Sequence, residues 1–165
     1  MADRLGEIMT EKFQIAVATV NDAEQIIELI KKEFPYYNLS KEELHFKMES
    51  GKFTMFKATK QKELAGFVEI EFLNETKARI NGITVKEKFR GQNAAKSLLA
   101  KSISFLKEQG TEKVSLLVKE SNEKAKQLYK KMGFNFSGMY PKTIENEKVE
   151  EMVLPLEEQD FSFAA

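Results

Sequence analysis

The chain has 165 residues, enough for one domain with its own core, and a hydrophobic content of 42% argues against disorder. Its 26 basic residues balance its 26 acidic residues, so no overall field draws the protein to nucleic acid or a membrane surface, and we expect neither partner. The absence of cysteine excludes disulfides, thiolate metal sites and a cysteine nucleophile, and a single histidine, His45, argues against a histidine-rich site, so no bound metal is expected.

The two ends of the chain are predicted to be tails around one domain. Residues 1–12 are charged and lack the apolar run of a signal peptide, and no later segment is apolar for long enough to span a bilayer. Residues 157–165 follow the last predicted strand. We therefore expect a cytoplasmic protein with a single domain at residues 13–156.

Between the tails, strand and helix patterns alternate. The first strand is rich in β-branched residues, and the helix after it has an apolar stripe, with Asn21 and Glu24 at the spacing of a capping box. Ser40 is placed to cap a shorter second helix, and Gly110 and Gly133 are placed to end the third and fourth helices. The predicted elements are a strand at 13–20, a helix at 21–34, a helix within 34–51, strands at 52–59, 64–75 and 77–86, a turn and helix over 86–110, a strand at 112–119, a helix at 121–133, and strands at 134–140 and 149–156.

The order of these elements is β-α-α-β-β-β-α-β-α-β-β, and the turn at residues 90–96, Arg-Gly-Gln-Asn-Ala-Ala-Lys, has the features of a phosphate-binding turn. The first turn of a helix carries unpaired N–H groups and a partial positive charge, and the short side chains at 93–95 let a pyrophosphate approach them. Arg90 and Lys96 add positive charge. The alternative is an ordinary solvated helix start that is capped by Asn93.

Two further features bear on function. Gly82 lies inside an otherwise β-branched strand, where glycine marks a bulge or the close approach of another backbone, so this strand can part from its neighbour and pair with an extended ligand. Asn122 and Tyr129 are seven residues apart on the last helix and therefore point the same way. The alternative for Tyr129 is a core aromatic residue.

The chain resembles the GNAT superfamily of acetyl-CoA-dependent N-acetyltransferases in three segments that occur in the right order: INGITV, RGQNAAKSLL and VKESNEKAKQLYKKMGF. The family pattern reads Arg/Gln-x-x-Gly-x-Gly/Ala, then Asn-x-x-Ala-x-x-x-Tyr and Gly-Phe. This resemblance implies a GNAT-like single α/β (α+β) domain with a mixed, mostly antiparallel sheet of about seven strands and about four helices. Looser matches, FPYYNLSKEEL and MYPKTIENEKVEEMVLPL, resemble the ribosomal-protein alanine N-acetyltransferases, which acetylate a protein's N-terminal amine.

The resemblance implies acetyl-CoA as the co-substrate and assigns residues to it. The end of the strand at 77–86 offers its backbone to the pantetheine arm and the thioester carbonyl, and the turn at 90–96 holds the pyrophosphate. Asn122 reaches the arm of the cofactor, and Tyr129 lies beside the sulfur as the catalytic acid that protonates the leaving thiolate. The implied acetyl-CoA residues are Ile83, Thr84, Val85, Arg90, Gly91, Gln92, Asn93, Ala94, Ala95, Lys96, Asn122 and Tyr129.

Two residues depart from the family pattern. Asn93 stands where the pattern has its first glycine, and asparagine tolerates left-handed backbone angles better than most residues, so the turn is still expected to form. Leu117 stands where the alanine N-acetyltransferases carry a glutamate that takes the proton from the amine. The substitutes for that base are a water held by Ser115 or Asn81 and the carboxylates of Glu69 and Glu71. For both glutamates the alternative is a solvated face of the sheet.

The acceptor that the resemblance implies is a primary amine, with a peptide or protein N-terminus favoured, and the absence of cysteine favours direct attack in a ternary complex. Tyr36 and Tyr37, after the first helix, and Tyr140, between the last two strands, are predicted to line the peptide groove; the alternative is that they pack loops onto the core. A polyamine-like acceptor would instead use an acidic pocket drawn from Glu69, Glu71, Glu145 and Glu147. Because Leu117 cannot be a base, a non-catalytic acyl-CoA-binding module is a further alternative. A monomer or a homodimer is expected.

Overall fold

The computed structural model describes residues 12–156, and its elements follow the predicted order. The strands among the described residues are β1 (Gln14–Val17), β2 (Phe53–Lys60), β3 (Glu63–Phe72), β4 (Lys77–Val85), β5 (Lys113–Lys119), β6 (Asn135–Met139) and β7 (Val149–Pro155). The α-helices are α1 (Ala23–Glu33), α2 (Lys41–Glu49), α3 (Ala94–Glu108) and α4 (Glu123–Lys131). Apart from Lys12, the predicted tails lie outside the described residues. Within residues 12–156, no helix has the length and apolar character needed to cross a membrane.

The strands form one sheet in the order β1-β2-β3-β4-β5-β7-β6. β4 and β5 are parallel, whereas β1 is antiparallel to β2, and β7 is antiparallel to both β5 and β6. The prediction of a mixed, mostly antiparallel sheet is therefore confirmed. The parallel ladder joins Lys77–Ile80 of β4 to the start of β5, and β4 itself continues to Val85.

Close contacts divide the described residues into two compact units. The first unit contains the described residues up to Glu69 together with Gly82–Ser102. The second contains Ile70–Asn81 together with the described residues from Ile103 onward. The strands β3 and β4 each contribute residues to both units.

The core of the first unit lies between α1, α2 and the strands β2 and β3. The apolar stripe predicted for the first helix faces this core: Ile26 is fully buried, and Leu29 and Ile30 are nearly so. Leu44 of α2 and Phe67 of β3 belong to the same cluster. Because burying one such side chain is worth about 1.5–3 kcal/mol, this core fixes both ends of the loop between α1 and α2.

The second unit is centred on β5 and β7. Val114 and Leu116 of β5, Met152 of β7 and Phe134 before β6 are all buried. Gly133 ends α4 as predicted, with φ of +100°, and the Phe134 N–H donates to the carbonyl of Tyr129 at 3.0 Å. This bond closes the end of the helix that carries Asn122 and Tyr129.

One of the two predicted helix N-caps is wrong. The box expected at Asn21 and Glu24 is formed by Thr19 and Asp22 instead, with the Thr19 N–H donating to the Asp22 carboxylate at 2.8 Å. The reason is a short 3₁₀ turn, Val20–Asp22, which precedes α1 and moves the first unpaired N–H groups toward the N-terminus. The cap at Ser40 is confirmed, because its hydroxyl accepts the Glu43 N–H at 3.1 Å.

Candidate functional site

Residues 90–96 form the turn that leads from β4 into α3. Gly91 and Asn93 both have left-handed backbone angles, with φ of +76° and +69°. Asn93 thus adopts the conformation expected of a residue that replaces glycine, and α3 begins directly after it at Ala94. The Asn93 carbonyl accepts the Ser97 N–H at 3.0 Å, so the preceding N–H groups of this turn have no partner within the helix. Such amides are what an anion at a helix start requires.

Arg90 connects the turn to β4 and α1. Its Nε donates to the carbonyl of Val85 at 3.0 Å, and its terminal nitrogen donates to the Glu33 carboxylate at 2.8 Å. The guanidinium therefore joins the end of β4 to the end of α1. Arg90 was predicted to contact pyrophosphate, and the described contacts give it a role in holding the shape of the turn.

The other side chains of the turn are short or exposed. Gln92 accepts a hydrogen bond from Lys60 Nζ at 2.9 Å, Ala94 is buried, and Ala95 is half-buried. Lys96 is exposed in the first turn of α3. The turn thus presents backbone amides, small side chains and, besides Arg90, the exposed cation of Lys96 close together.

The end of β4 lies beyond the ladder with β5, which stops at Ile80. In this segment Ile83 and Val85 are half-buried, whereas Thr84 is 6% exposed. The Thr84 hydroxyl is buried without a hydrogen-bond partner among residues 12–156. The side chain of Thr84 therefore points into the interior.

The close approach of two strands predicted at Gly82 occurs at a different glycine. A Cβ built on Gly66 of β3 would lie 2.3 Å from the carbonyl oxygen of Thr84 and 3.1 Å from the Cα of Val85. By contrast, a Cβ on Gly82 would meet no atom of the described chain within 4 Å. Gly66, which brings β3 close to the backbone of Thr84 and Val85, was not predicted from the sequence. A glycine inside an apolar strand is the sequence feature that could have indicated it.

Asn122 and Tyr129 lie on α4 in the second unit. The side-chain oxygen of Asn122 accepts the Ala125 N–H at 3.2 Å and so caps the helix. The ring of Tyr129 packs edge to face against Phe134, with ring centres 6.1 Å apart. Burial raises the pKa of Tyr129 above its ordinary value, so the phenol keeps its proton at neutral pH and is able to donate it.

Both glutamates considered as bases have hydrogen-bond partners. The Glu69 side chain is 14% exposed and accepts from Lys47 Nζ at 2.8 Å. Glu71 accepts from the amide of Asn81 at 3.3 Å. The predicted alternative of a solvated glutamate face is therefore wrong for Glu69, because Lys47 of α2 covers it.

Leu117 and Ser115 both lie on β5. Ser115 is buried, and Leu117 is half-buried and paired in register with Glu151 of β7. Leucine has no group that can accept a proton, so Leu117 cannot act as the base that the family pattern places at this position.

The predicted acceptor residues occupy the expected loops. Tyr36 and Tyr37 follow α1 and are 53% and 44% exposed, and the ring of Tyr36 packs edge to face on Phe34. Tyr140 follows β6 and is half-buried, and its N–H donates to the Val149 carbonyl at 2.8 Å. All three tyrosines therefore keep part of their surface accessible.

The two acidic residues of the β6–β7 loop are engaged by a lysine. Lys119 Nζ contacts Glu145 and lies 3.3 Å from Glu147, while the Ser121 hydroxyl donates to Glu147 at 2.9 Å. Ser121 and then Lys119 lower the pKa of Glu147, and Glu145 raises the pKa of Lys119. These contacts already partner two of the carboxylates that a small-amine pocket would use.

Sequence comparisons relate this chain to known acetyltransferases. Residues 23–134 match the model of the acetyltransferase (GNAT) family. A curated protein of Bacillus subtilis (strain 168), a candidate ribosomal protein bS18-alanine N-acetyltransferase, is 34% identical over 80 residues, which is 48% of this chain and 52% of that protein. The chain thus spans about half the length of the curated relative that it matches.

Solved structures share the fold. The Escherichia coli ribosomal-protein-S18-alanine N-acetyltransferase superposes with a TM-score of 0.74 at 22% identity, over 87% of this chain and 94% of that one. The PaiA N-acetyltransferase of Thermoplasma acidophilum, solved in complex with coenzyme A, superposes with a TM-score of 0.70 at 21% identity, over 85% of this chain and 98% of that one. At these identities the likeness shows the fold alone.

Proposed function

The chain belongs to the GNAT family of acetyltransferases, and on that premise we propose that it transfers the acetyl group of acetyl-CoA to the N-terminal amine of a peptide or protein. The observation that supports acetyl-CoA as the donor is the turn at 90–96, in which Gly91 and Asn93 both have left-handed backbone angles directly before α3. The proposal of a peptide or protein N-terminus as the acceptor rests on the Bacillus subtilis relative, whose name describes it as acting on an alanine of a ribosomal protein. An enzyme with such a substrate would work in the cytoplasm.

The proposed donor site lies in the first unit. The amides of Gly91 through Lys96 hold the pyrophosphate, with Arg90 bracing the turn from Glu33. The pantetheine arm follows the backbone of Ile83–Val85, and an N–H of this segment stabilises the oxyanion that forms on the thioester carbonyl.

A change at Asn93 tests the proposed pyrophosphate site. Isoleucine is β-branched and strongly disfavours the φ of +69° found here, at a cost of roughly 1–2 kcal/mol or more. We expect Asn93→Ile to weaken acetyl-CoA binding about tenfold in calorimetry. Asn93→Gly is the matched control and should keep the affinity, because glycine adopts this angle freely. If Asn93→Ile lost only thermal stability and bound acetyl-CoA normally, the turn would be a plain helix start.

The proposed reaction is a direct attack. The neutral amine adds to the thioester carbonyl, the C–S bond breaks, and the amine proton leaves through a water to solvent. Tyr129 protonates the thiolate and regains a proton from solvent. An α-amine suits this chain because it loses its proton near pH ~8, against ~10 for lysine. It therefore needs only a weak base, and it can react although Leu117 replaces the glutamate of the family pattern. Ser115 or Asn81 is the proposed holder of the water.

A substrate screen tests the acceptor. Acetyl-CoA is mixed with alanine-initiated peptides, with lysine peptides whose N-terminus is blocked, and with polyamines, while thiol release and product mass are followed. We expect the first group alone to be acetylated well. Acetylation confined to polyamines would replace the proposal with a small-amine acetyltransferase, and binding of acetyl-CoA without any thiol release would point to a binding module.

Tyr140 provides a test of the peptide groove. Its hydrogen bond to Val149 uses the backbone N–H and survives a change to alanine, so the β6–β7 loop keeps this contact. We expect Tyr140→Ala to raise the KM for an N-terminal peptide about fivefold to tenfold, as for loss of an aromatic contact residue, with the Kd for acetyl-CoA unchanged. Tyr140→Phe separates the ring from the hydroxyl. An unaltered peptide KM in Tyr140→Ala would remove Tyr140 from the groove.

A further inference from the structure

A groove of about 560 Å³ runs beside α2 in the first unit, and we call it the α2 groove. Aromatic side chains form much of its wall, and charged residues of α2 stand along it. The lining residues that matter here are Tyr37, Glu42, Glu43, Phe46, Lys47 and Phe53. Tyr37, a residue of the predicted acceptor loop, thus also lines the α2 groove.

Phe46 is a residue that the fold does not use. Its side chain is 75% exposed, although Leu44, two residues earlier on α2, is 1% exposed and anchors the helix in the core. Tyr37, in the same groove, is 44% exposed. Phe46 and Tyr37 therefore give the α2 groove an exposed aromatic surface, and contiguous exposed apolar surface is typical of binding sites.

The charge of the α2 groove is negative. The positive charge of Lys47 is balanced by Glu69, because its Nζ lies 2.8 Å from the Glu69 carboxylate. The same Nζ lies 4.7 Å from the ring centre of Phe53. Burial alone would lower the pKa of Lys47, but the bond to Glu69 outweighs it and, with Tyr37, raises the pKa, so Lys47 keeps its charge. Glu42 and Glu43 are the other two charged residues of the lining, so its net charge is negative.

We propose that the α2 groove binds a cationic side chain of the acceptor peptide, arginine best of all, and so selects among N-terminal substrates. A guanidinium stacks on an aromatic face and pairs with a carboxylate at the same time, and Phe46 and Glu42, one turn apart on α2, offer both. Glu43 adds negative charge, although one of its oxygens accepts the Ser40 N–H at 2.8 Å. This inference rests on the proposed function.

The test uses the full chain and peptides that begin with alanine. An arginine is moved through the second to sixth positions, and at the best position it is replaced by lysine, glutamine and glutamate. A cation–π contact and an exposed ion pair together predict a kcat/KM for the arginine peptide about tenfold above that for the glutamine peptide. Lysine should lie between the two, and glutamate should be the poorest.

Two variants connect this preference to the groove. Glu42→Gln and Phe46→Ala should each reduce the advantage of the arginine peptide by about threefold, while the Kd for acetyl-CoA shows that the fold is intact. Glu108→Gln and Phe136→Ala are matched controls, since both residues are exposed elsewhere, and they should keep the full preference.

Several results would overturn the inference in distinguishable ways. Peptide acetylation with no arginine preference, or a preference that survives both groove variants, removes the α2 groove from selection and leaves the proposed function standing. A dimer in sedimentation velocity that Phe46→Ala dissociates would assign the groove to a second copy of the chain. If polyamines alone were acetylated, the proposed function and the inference would fail together.

Discussion

Tyr129→Phe is expected to lower kcat by about 10²–10⁴, the contribution typical of a general acid, without a change in the Kd for acetyl-CoA. Phenylalanine keeps the ring that packs against Phe134, so α4 and its C-terminal bond survive the change. The substitution removes only the hydroxyl that is proposed to protonate the thiolate. The measurements are single-turnover thiol release and acetyl-CoA calorimetry on the same preparation.

The pH dependence gives a second check on Tyr129. Burial raises its pKa above the ordinary value of about 10, so the acid form persists throughout the neutral range. Loss of this proton should therefore lower kcat only above about pH 10, and Tyr129→Phe should lack that alkaline decline. An equal loss of kcat and of acetyl-CoA affinity would show instead that Tyr129 is a structural residue.

The order of elements was predictable because each element carries a local pattern. The stripe of α1 follows a period of 3.6 residues, and Ser40 and Gly133 mark helix ends through local hydrogen bonds and backbone angles. The 3₁₀ turn before α1 was not predictable, since Thr19 and Asp22 compete with Asn21 and Glu24 for the same helix start. Helix boundaries depend on such small differences.

The turn at 90–96 was predictable for a similar reason. The left-handed angle of Asn93 follows from its residue type and its place before a helix, both of which are local. The partner of Arg90 is different, because Glu33 lies 57 residues away in the chain and meets it only in the folded first unit. Likewise, the ion pair of Lys47 with Glu69 joins a helix to a strand 22 residues later. Lys47 covers Glu69, which was predicted to face solvent, and so long-range a contact has no local pattern.

Gly66→Ala should have a large effect on stability and on donor binding. The new Cβ would lie 2.3 Å from the carbonyl oxygen of Thr84, a backbone atom that cannot rotate away, so β3 and β4 must shift. Overpacking of this kind costs typically 1–3 kcal/mol or more, equivalent to roughly 2–4 °C in Tm for each kcal/mol. Because the displaced backbone belongs to Ile83–Val85, we also expect a loss of acetyl-CoA affinity of at least about tenfold.

Gly82→Ala is the matched control, since it places the same methyl group on the neighbouring strand. Its Cβ would meet no atom of the described chain within 4 Å, so the melting temperature should stay close to that of the unchanged protein. Thermal unfolding and acetyl-CoA calorimetry on both variants then separate a clash within the chain from a general intolerance of side chains at strand glycines. Equal melting temperatures for the two variants would contradict the close approach of Gly66 to Thr84. They would also remove the steric reason for a glycine in β3 opposite the proposed pantetheine segment.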